Sequence, residues 1–270
     1  MLGLALIVVG VDVEGAEVAR FALGHGDDPT TLLVAHGWAV QRVQVVTRHP
    51  VEKNVLTMTF VVEPSIIEPQ APARGTMGVP ARFEDGLVIN ADEVAMRNQR
   101  VAAYAVVTSE RGVLMTQFSD RTNAPGQWGL PGGGLEPGEA PERAVVREVW
   151  EESGQVIGVK ELALIRTSRW VGRAPAGHLE DFHAVRVVYR ALCAEPTEPV
   201  VHDVGGTTVS AAWLLPADLD LLALTPGWRS ILRDVAGIGA SAVVMASDET
   251  DGSDRHHHDT DADDRLRPQT

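Results

Sequence analysis

The chain is poor in the residues that mark secreted and membrane proteins. It contains a single cysteine, Cys193, so no disulfide can form within the chain and nothing favours an oxidising compartment. No apolar run approaches the roughly 20 residues that a membrane-spanning helix needs. The apolar stretch 2–11 lacks a basic leader and continues into Asp12 and Glu14, unlike a signal peptide. The sequence therefore predicts a soluble, cytoplasmic protein without a membrane partner.

Basic residues are also scarce. There are 23 lysines and arginines against 37 acidic residues, which gives a net charge of −14. Such a surface repels nucleic-acid backbones, and no basic stripe offsets it, so a nucleic-acid polymer is not expected as a partner. A phosphorylated small molecule would need local arginines or a metal ion. The apolar content of 44% is ordinary and allows a proper core.

Two structured units and a tail are predicted. Residues 1–62 combine strands with one short helix and form a small α+β unit of unknown role. Residues 63–96 are broken by prolines and glycines and indicate a linker. Residues 97–245 form the second unit. The Asp-rich segment 246–270, with its His-His-His run, should be a disordered acidic tail.

The second unit mixes strands and helices. Its expected elements are strands at 101–108, 113–118, 161–166 and 182–192, a segment around Trp213, and helices at about 140–153 and 227–238. This mixture is typical of an α+β fold or an α/β/α sandwich.

One helix of this unit carries a cluster of carboxylates. Its start is marked by Pro141 and acids in the first turn, and Gly154 is placed as its C-terminal cap. Glu148, Glu151 and Glu152 follow at i, i+3 and i+4, so they fall within one arc of about 100° on the helix. Like charges on one face repel, and hard oxygen ligands at this density suit Mg²⁺ or Mn²⁺.

The surrounding residues follow a known pattern. Gly133 is followed after five residues by Glu139, and after seven more by Arg147 and Glu148. Val149, Glu151, Glu152 and Gly154 complete the series. This arrangement resembles the signature of the Nudix hydrolases, G-x5-E-x7-R-E-U-x-E-E-x-G-U, in which U is a bulky aliphatic residue. The departure is Gln155, which stands at the last aliphatic position and should require only a local adjustment of packing.

The resemblance implies roles for the residues of the box. The divalent cations would be held by Glu148, Glu151 and Glu152, and Arg147 would orient these carboxylates. The loop and the helix would be supported by Glu139 and by the glycines at 133 and 154. The implied fold is the Nudix α/β/α sandwich. The implied reaction is metal-dependent hydrolysis of the pyrophosphate bond in a nucleoside diphosphate linked to another group, such as a nucleotide sugar or a dinucleotide.

Substrate contacts and the general base are less strongly marked. Arg166, Arg169 and Trp170 form a basic-aromatic cluster after a predicted strand, and could grip a phosphate and stack on a base. An ordinary exposed loop with one packed aromatic explains them equally well. We expect the general base to be a glutamate of the box; candidates outside it are Glu180, Asp181 and His183.

Two other functions fit parts of the sequence. A non-catalytic Nudix-like sensor could bind a nucleotide metabolite and act through the N-terminal unit, although such proteins usually carry an eroded box. An isomerase of diphosphates would want a dedicated acid–base pair, often with a cysteine, whereas Cys193 lies in an apolar strand and is expected in the core. The N-terminal unit could cover the cleft, dock on the sheet or mediate a homodimer; the sequence leaves these alternatives open.

Overall fold

A computed structural model describes residues 4–52, 54–66, 78–122, 124–174 and 177–236 of the chain. The mixed α+β architecture predicted from the sequence is confirmed. The predicted tail 246–270 and most of the proline-rich stretch lie outside the described residues. Within the described part, no helix is long and apolar enough to span a membrane.

The N-terminal residues form a four-stranded sheet with one helix. Its elements are β1 (Ala5–Val11), β2 (Glu17–Ala22), α1 (Pro29–Ala35), β3 (Trp38–Arg48) and β4 (Val55–Pro64), and the strand order is β2-β1-β4-β3. Helix α1 begins where the Asp28 side chain accepts a hydrogen bond from the Thr31 amide at 2.9 Å. Strand β2 was not predicted, because its six residues, of which only one is fully buried, give no apolar alternation to read.

The remaining strands form a second, mixed sheet of eight. They are β5 (Ala81–Phe83), β6 (Met96–Ser109), β7 (Gly112–Phe118), β8 (Trp128–Gly129), β9 (Gly132–Gly134), β10 (Gly158–Arg173), β11 (Leu179–Leu192) and β12 (Thr208–Leu214). The main order is β12-β7-β6-β11-β10-β5, with β8 paired to β7 and β9 to β6. Helix α2 (Pro141–Ser153), a 3₁₀ helix (Pro216–Leu221) and α3 (Pro226–Ala236) complete the fold.

Two apolar clusters cover the two faces of the large sheet. On one face, Val145 and Val149 of α2 and residues of the N-terminal sheet such as Leu56 and Met58 share one core with Val185 of β11. On the other face, α3 packs over β6, β7 and β11 through a second cluster. The N-terminal sheet therefore docks on the α2 side of the large sheet. The cavity described below lies on the α3 side.

The hairpin of β10 and β11 is longer than the sequence predicted. Strands were expected at 161–166 and 182–192, but β10 runs to Arg173 and β11 begins at Leu179. The expectation that Arg166, Arg169 and Trp170 follow a strand is wrong, because all three lie inside β10. This extension has polar side chains on both faces, so its sequence does not show the alternation of apolar and polar residues that predicts a strand. Likewise, β5 lies inside the segment predicted as a linker and pairs with β10 in parallel.

Candidate active site

The glycine-rich segment leads from the sheet into α2. Strand β9 pairs with β6, so that Gly133 lies opposite Ala103. Helix α2 begins at Pro141 without a side-chain cap and ends at Gly154, whose φ of 67° is left-handed. The amide of Gly154 donates to the carbonyl of Trp150 at 2.8 Å. Gly154 therefore ends the helix in the way the sequence predicted.

Arg147 holds this segment together. Its guanidinium donates to both carboxylate oxygens of Glu139, each at 2.9 Å, and to Glu148 and Glu151 at 3.0 Å. A further bond reaches the carbonyl of Gly134 at 3.1 Å. The hydrogen bonds from Arg147 lower the pKa of Glu139, and burial of that carboxyl opposes them only partly. One side chain thus ties the loop to the helix and positions two of the glutamates.

Glu148 lies directly against the glycine loop. A methyl group added at Gly133 would stand 2.5 Å from a carboxylate oxygen of Glu148, so only glycine leaves room for it. A methyl group at Gly134 would meet the guanidinium of Arg100 at 2.3 Å. Burial raises the pKa of Glu148, while the charges of Arg147 and Arg100 lower it. Arg100, which the sequence did not single out, is therefore a cation beside the box.

Glu152 is the most buried of the three glutamates, with 6% of its surface exposed. It accepts hydrogen bonds from the Gly132 amide at 2.9 Å and from the Thr208 hydroxyl at 2.5 Å. Burial raises the pKa of Glu152 to about 7, against the effect of these two donors. Thr208 lies on β12, more than fifty residues along the chain, and no motif points to it.

The donor set suits a hard divalent cation. Three carboxylates lie on one helix face, and burial raises the pKa of Glu148 and of Glu152. Among the described residues, no group of three acidic, histidine or cysteine side chains is arranged as a ready ion site. Glu148 and Glu151 are turned towards Arg147, and Glu152 towards its two donors. A bound cation would therefore draw these side chains out of their present hydrogen bonds.

A cavity of about 400 Å³ lies on the α3 side of the sheet. Arg166 and Trp170 line it from β10, Arg186 from β11, and Trp228 from α3. The Arg186 guanidinium lies 5.6 Å from the centre of the Trp228 ring and donates to the Ser168 hydroxyl at 2.7 Å. Two residues of the predicted substrate cluster, Arg166 and Trp170, therefore lie on the face of the sheet that carries the cavity. Arg166 already forms an ion pair with Asp234 at 2.5 Å.

Tyr104 interacts with both the cavity and the box. Its ring meets Trp228 edge to face with centroids 4.7 Å apart. Burial raises the pKa of its phenol, which is also sensitive to the charges of Arg186, Arg100, Glu152 and Glu148. Tyr104 therefore contacts Trp228 of the cavity wall and also lies within the electrostatic influence of Glu148 and Glu152.

Of the remaining predicted residues, Arg169, Asp181 and His183 lie on the opposite face, whereas Glu180 alternates with Asp181 along β11. Arg169 follows the alternation of β10 and makes a double hydrogen bond to Asp181, at 2.6 and 2.7 Å. Asp181 and His183 are 5% and 0% exposed and contact the N-terminal unit. Arg169 thus braces the fold on this face, and its charge is already matched. Glu180 accepts from the Asn98 amide at 2.8 Å.

The N-terminal sheet reaches the box through Arg48 of β3. The Arg48 guanidinium donates to the backbone carbonyl of Glu139 at 2.6 Å. Burial lowers the pKa of Arg48, and the carboxylate of Glu139 opposes this shift. The box loop is therefore fixed from two sides, by Arg147 within the helix and by Arg48 from the other sheet. No sequence pattern predicted this contact.

Comparison with known proteins agrees with this geometry. The family model of the NUDIX domain matches residues 98–235. The chain belongs to the Nudix hydrolase family. It is an enzyme of the class that hydrolyses acid anhydrides in nucleotides, as the sequence predicted.

Similar proteins match about half of the chain. A nucleoside triphosphatase, NudI, of Escherichia coli O1:K1 / APEC is 28% identical over 144 residues, which are 51% of this chain and 96% of that protein. A MutT Nudix hydrolase from Burkholderia pseudomallei is 30% identical, with a TM-score of 0.38 over 51% of this chain and 98% of that one. A Caenorhabditis elegans Ap4A hydrolase is 21% identical with a TM-score of 0.39, over 53% and 98% of the two chains.

The departure from the Nudix signature is accommodated by hydrogen bonds. Gln155 is 1% exposed. Its amide donates to the Ser153 carbonyl at 3.1 Å and to the Thr197 hydroxyl at 3.0 Å, and its oxygen accepts from the Thr197 amide at 3.0 Å. A polar side chain thus fastens the loop that follows β11 to the end of α2. Cys193 is buried beside it, as expected of a core residue.

Proposed function

We propose that this Nudix enzyme uses Mg²⁺, or Mn²⁺, to hydrolyse the pyrophosphate bond of a nucleoside diphosphate linked to another group. The observation that carries the proposal is the group of three glutamates on one face of α2, with Arg100 beside it and an aromatic cavity that meets Tyr104 through Trp228. A diphosphate fits beside the glutamates, and a nucleoside fits between the tryptophans of the cavity.

The glutamates Glu148, Glu151 and Glu152 would hold the cation. A bound divalent cation screens the phosphate charges and lowers the pKa of the attacking water. Arg147 keeps two of these side chains in position before the cation arrives. Arg100 is placed to neutralise charge that develops on a phosphoryl oxygen during displacement.

For the general base we propose a glutamate of the box. Asp181 and His183 are poor alternatives, because both are buried on the sheet face that α2 and the N-terminal unit cover. Arg169 lowers the pKa of Asp181 to about 2, and burial lowers that of His183 to about 4, so both groups are weak bases. Glu180 already accepts a hydrogen bond from Asn98.

The N-terminal unit supports the box in this proposal. It docks on the face opposite the cavity, where Arg48 contacts the box loop. We therefore propose a stabilising role for residues 1–62 in place of a cover over the substrate. A cytoplasmic location remains part of the proposal, consistent with the buried free thiol of Cys193.

A hydrolysis screen with Mg²⁺ tests the function. The panel contains ADP-ribose, NADH, dinucleoside polyphosphates, coenzyme A and nucleoside triphosphates, with products separated by chromatography. We expect metal-dependent cleavage of selected members. Glu152→Gln should remove it, by more than the roughly 10- to 100-fold typical of outer-shell changes, while the fold is kept.

Two results would overturn the proposal. Unchanged turnover of Glu152→Gln would refute the assignment of the metal site. No cleavage of any compound by folded protein that binds Mg²⁺ would favour the alternative, a nucleotide-binding sensor.

A further inference from the structure

The wall of the cavity includes residues from outside the family match. Val79, Pro80 and Arg82 line it, although the NUDIX match begins at residue 98. Strand β5 carries Arg82 and pairs in parallel with β10, which places Arg82 directly beside Trp170. Paired residues of neighbouring strands project from the same face of a sheet. The segment before the matched domain thus forms part of the cavity wall.

The cavity carries more positive charge than its own residues neutralise. Three arginines project towards it, at positions 82, 166 and 186, and no acidic residue lines it; Arg169 contributes to the lining from a position whose side chain projects to the other face. Arg166 is paired with Asp234 and Arg169 with Asp181. Arg186 bonds a serine hydroxyl and lies over a tryptophan ring. In the described part of the chain, Arg82 and Arg186 have no carboxylate partner, in a protein whose net charge is −14.

A helix start adds to this positive charge. Helix α3 begins at Pro226, and residues Thr225, Pro226 and Gly227 line the cavity. The first turn of this eleven-residue helix carries the positive end of the helix dipole, although Pro226 has no amide hydrogen and the Trp228 amide donates to the Thr225 hydroxyl at 3.4 Å. Together with the two arginines, this favours an anion in the cavity.

The diphosphate that is cleaved does not account for the charge of Arg82. Arg100 already stands beside the box, where it contacts the glycine loop. Arg100 lies on β6 and Arg82 on β5, with β11 and β10 between them. Three strand spacings place the two backbones roughly 14 Å apart. A ligand whose diphosphate lies against Arg100 and the glutamates therefore leaves Arg82 to another group. Arg186, on β11 opposite Ala102 of β6, lies between these two arginines.

We infer that the cavity recognises a phosphomonoester on the nucleoside part of the substrate, remote from the bond that is cleaved. Arg82 and Arg186 bind this phosphate, and Trp170 and Trp228 contact the base. The inference rests on the proposed function and names its substrate class: a nucleoside diphosphate derivative with an additional phosphate, whether on the 2′ or the 3′ oxygen of the ribose.

Matched substrates provide the test. NADPH and NADH differ in one 2′-phosphate, and coenzyme A and dephospho-coenzyme A differ in one 3′-phosphate. We expect kcat/KM with Mg²⁺ to favour the phosphorylated member of at least one pair by tenfold or more. The pair that shows the preference identifies the position of the phosphate. Arg82→Gln should reduce this ratio at least fivefold, chiefly through KM of the phosphorylated member.

A control variant separates this effect from a loss of net charge. Arg42 is exposed on β3 of the N-terminal sheet and does not line the cavity. Arg42→Gln removes the same charge and should leave both rates and their ratio unchanged. Thermal unfolding checks that Arg82→Gln is folded. Equal rates within both pairs for the unmodified protein, or an equal loss for both members in Arg82→Gln, would overturn the inference.

A binding measurement covers the case in which no compound is cleaved. Tryptophan fluorescence is titrated without metal, using adenosine 2′,5′-bisphosphate, adenosine 3′,5′-bisphosphate and AMP. We expect one bisphosphate to bind at least tenfold more tightly than AMP, and Arg82→Gln to reduce the difference. A bisphosphate preference without hydrolysis would refute the proposed reaction and keep the inference. Equal affinity for all three would refute the inference.

Discussion

At the scale of single residues, the box depends on one close approach. The carboxylate of Glu148 occupies the space in which a side chain at Gly133 would begin. The glycine is therefore needed for room, and it lets the loop pass directly over a charged group. Arg147 then fixes the same carboxylate from the other side at 3.0 Å.

Gly133→Ala should lower activity without unfolding the protein. The added methyl group would displace the Glu148 carboxylate, which is the flexible end of a side chain and can move. We expect kcat/KM to fall by about 10- to 100-fold, as for other changes that reorient a ligand. Initial rates at saturating Mg²⁺ measure this effect. Gly158→Ala is the matched control, because the nearest atom to its methyl group would be 3.9 Å away. Equal rates for both variants would contradict the prediction.

Glu152 illustrates how burial competes with hydrogen bonding. Two donors stabilise its ionised form, yet burial dominates and raises its pKa to about 7 from an ordinary value of 4.5. Without a cation, the folded protein therefore keeps this proton between pH 4.5 and 7, whereas the unfolded chain loses it. The free energy of unfolding must fall as pH rises through this window.

Glu152→Gln should remove this pH dependence in the metal-free protein. The variant cannot ionise, so at pH 8 we expect it to be more stable than the unmodified protein by on the order of 3 kcal/mol. At pH 4.5 the two should differ little. Urea unfolding in the presence of a chelator at both pH values measures the difference. A constant difference at both pH values would show that the ionisation of Glu152 is not its cause.

At the scale of elements, the β10–β11 hairpin serves both faces of the large sheet. Arg166 and Trp170 project towards the cavity, while Arg169 projects towards the N-terminal unit and binds Asp181. Alternation along a strand separates residues that look like one cluster in the sequence. Asp181 also lies 3.2 Å from the Nε2 atom of His25, so it contacts residues of both halves of the chain.

His183 is the acid-sensitive part of this contact. The amide of Gly26, which can only donate, lies 3.1 Å from its Nδ1 atom. Nδ1 is therefore the acceptor and the neutral ring carries its proton on Nε2. Nε2 has no hydrogen-bond partner among the described residues. Burial lowers the pKa of His183 from 6.5 to about 4, with the charge of His25 as the next cause.

The free energy of unfolding should therefore decrease as the pH falls below about 6.5. Between pH 6.5 and 4 the unfolded chain binds a proton at this histidine and the folded protein does not, so the free energy of unfolding falls as pH falls. We expect a loss of up to about 3 kcal/mol from this group. His183→Asn keeps an acceptor near the Nδ1 position but cannot titrate. Denaturant unfolding at pH 7 and pH 4.5 should show a smaller pH dependence in the variant; an identical dependence would exclude His183 as its source.

At the scale of the whole molecule, the two sheets share one core. Leu6, Val8 and Phe60 of the N-terminal sheet belong to the same buried cluster as Val187 of β11 and Val149 of α2. Each buried side chain of this size contributes roughly 1.5–3 kcal/mol, and several together approach the whole stability of a domain. The Nudix half therefore depends on the N-terminal half for part of its core.

A chain that begins at residue 78 should be much less stable than the full chain. It keeps β5 and the cavity but leaves the apolar face beneath the N-terminal sheet uncovered. We expect a fall in Tm of more than 10 °C or aggregation on expression, because losing a few kcal/mol shifts Tm by several degrees each. A chain of residues 1–238 is the control for the loss of the tail and should unfold like the full chain. Equal unfolding temperatures for all three would show that the halves are independent.

The sequence by itself determined the reaction class and the local structure that serves it. The glycines, Arg147 and the glutamates act through spacing along one loop and one helix, and such short-range geometry can be read without a fold. Helix α2 and its end at Gly154 follow from the same local rules.

Only the tertiary structure decided what surrounds this segment. Thr208 beside Glu152, Arg48 on the box loop, and Arg82 beside Trp170 join residues from strands far apart in the chain, and no spacing predicts such pairs. The tertiary structure also determined which side chains of β10 project to each face of the sheet. The sequence could not predict this, because polar residues on both faces remove the alternation of apolar and polar positions. The physical reason is that hydrogen bonding across a sheet and burial between sheets depend on the register and docking of strands, which the order of residues does not encode locally.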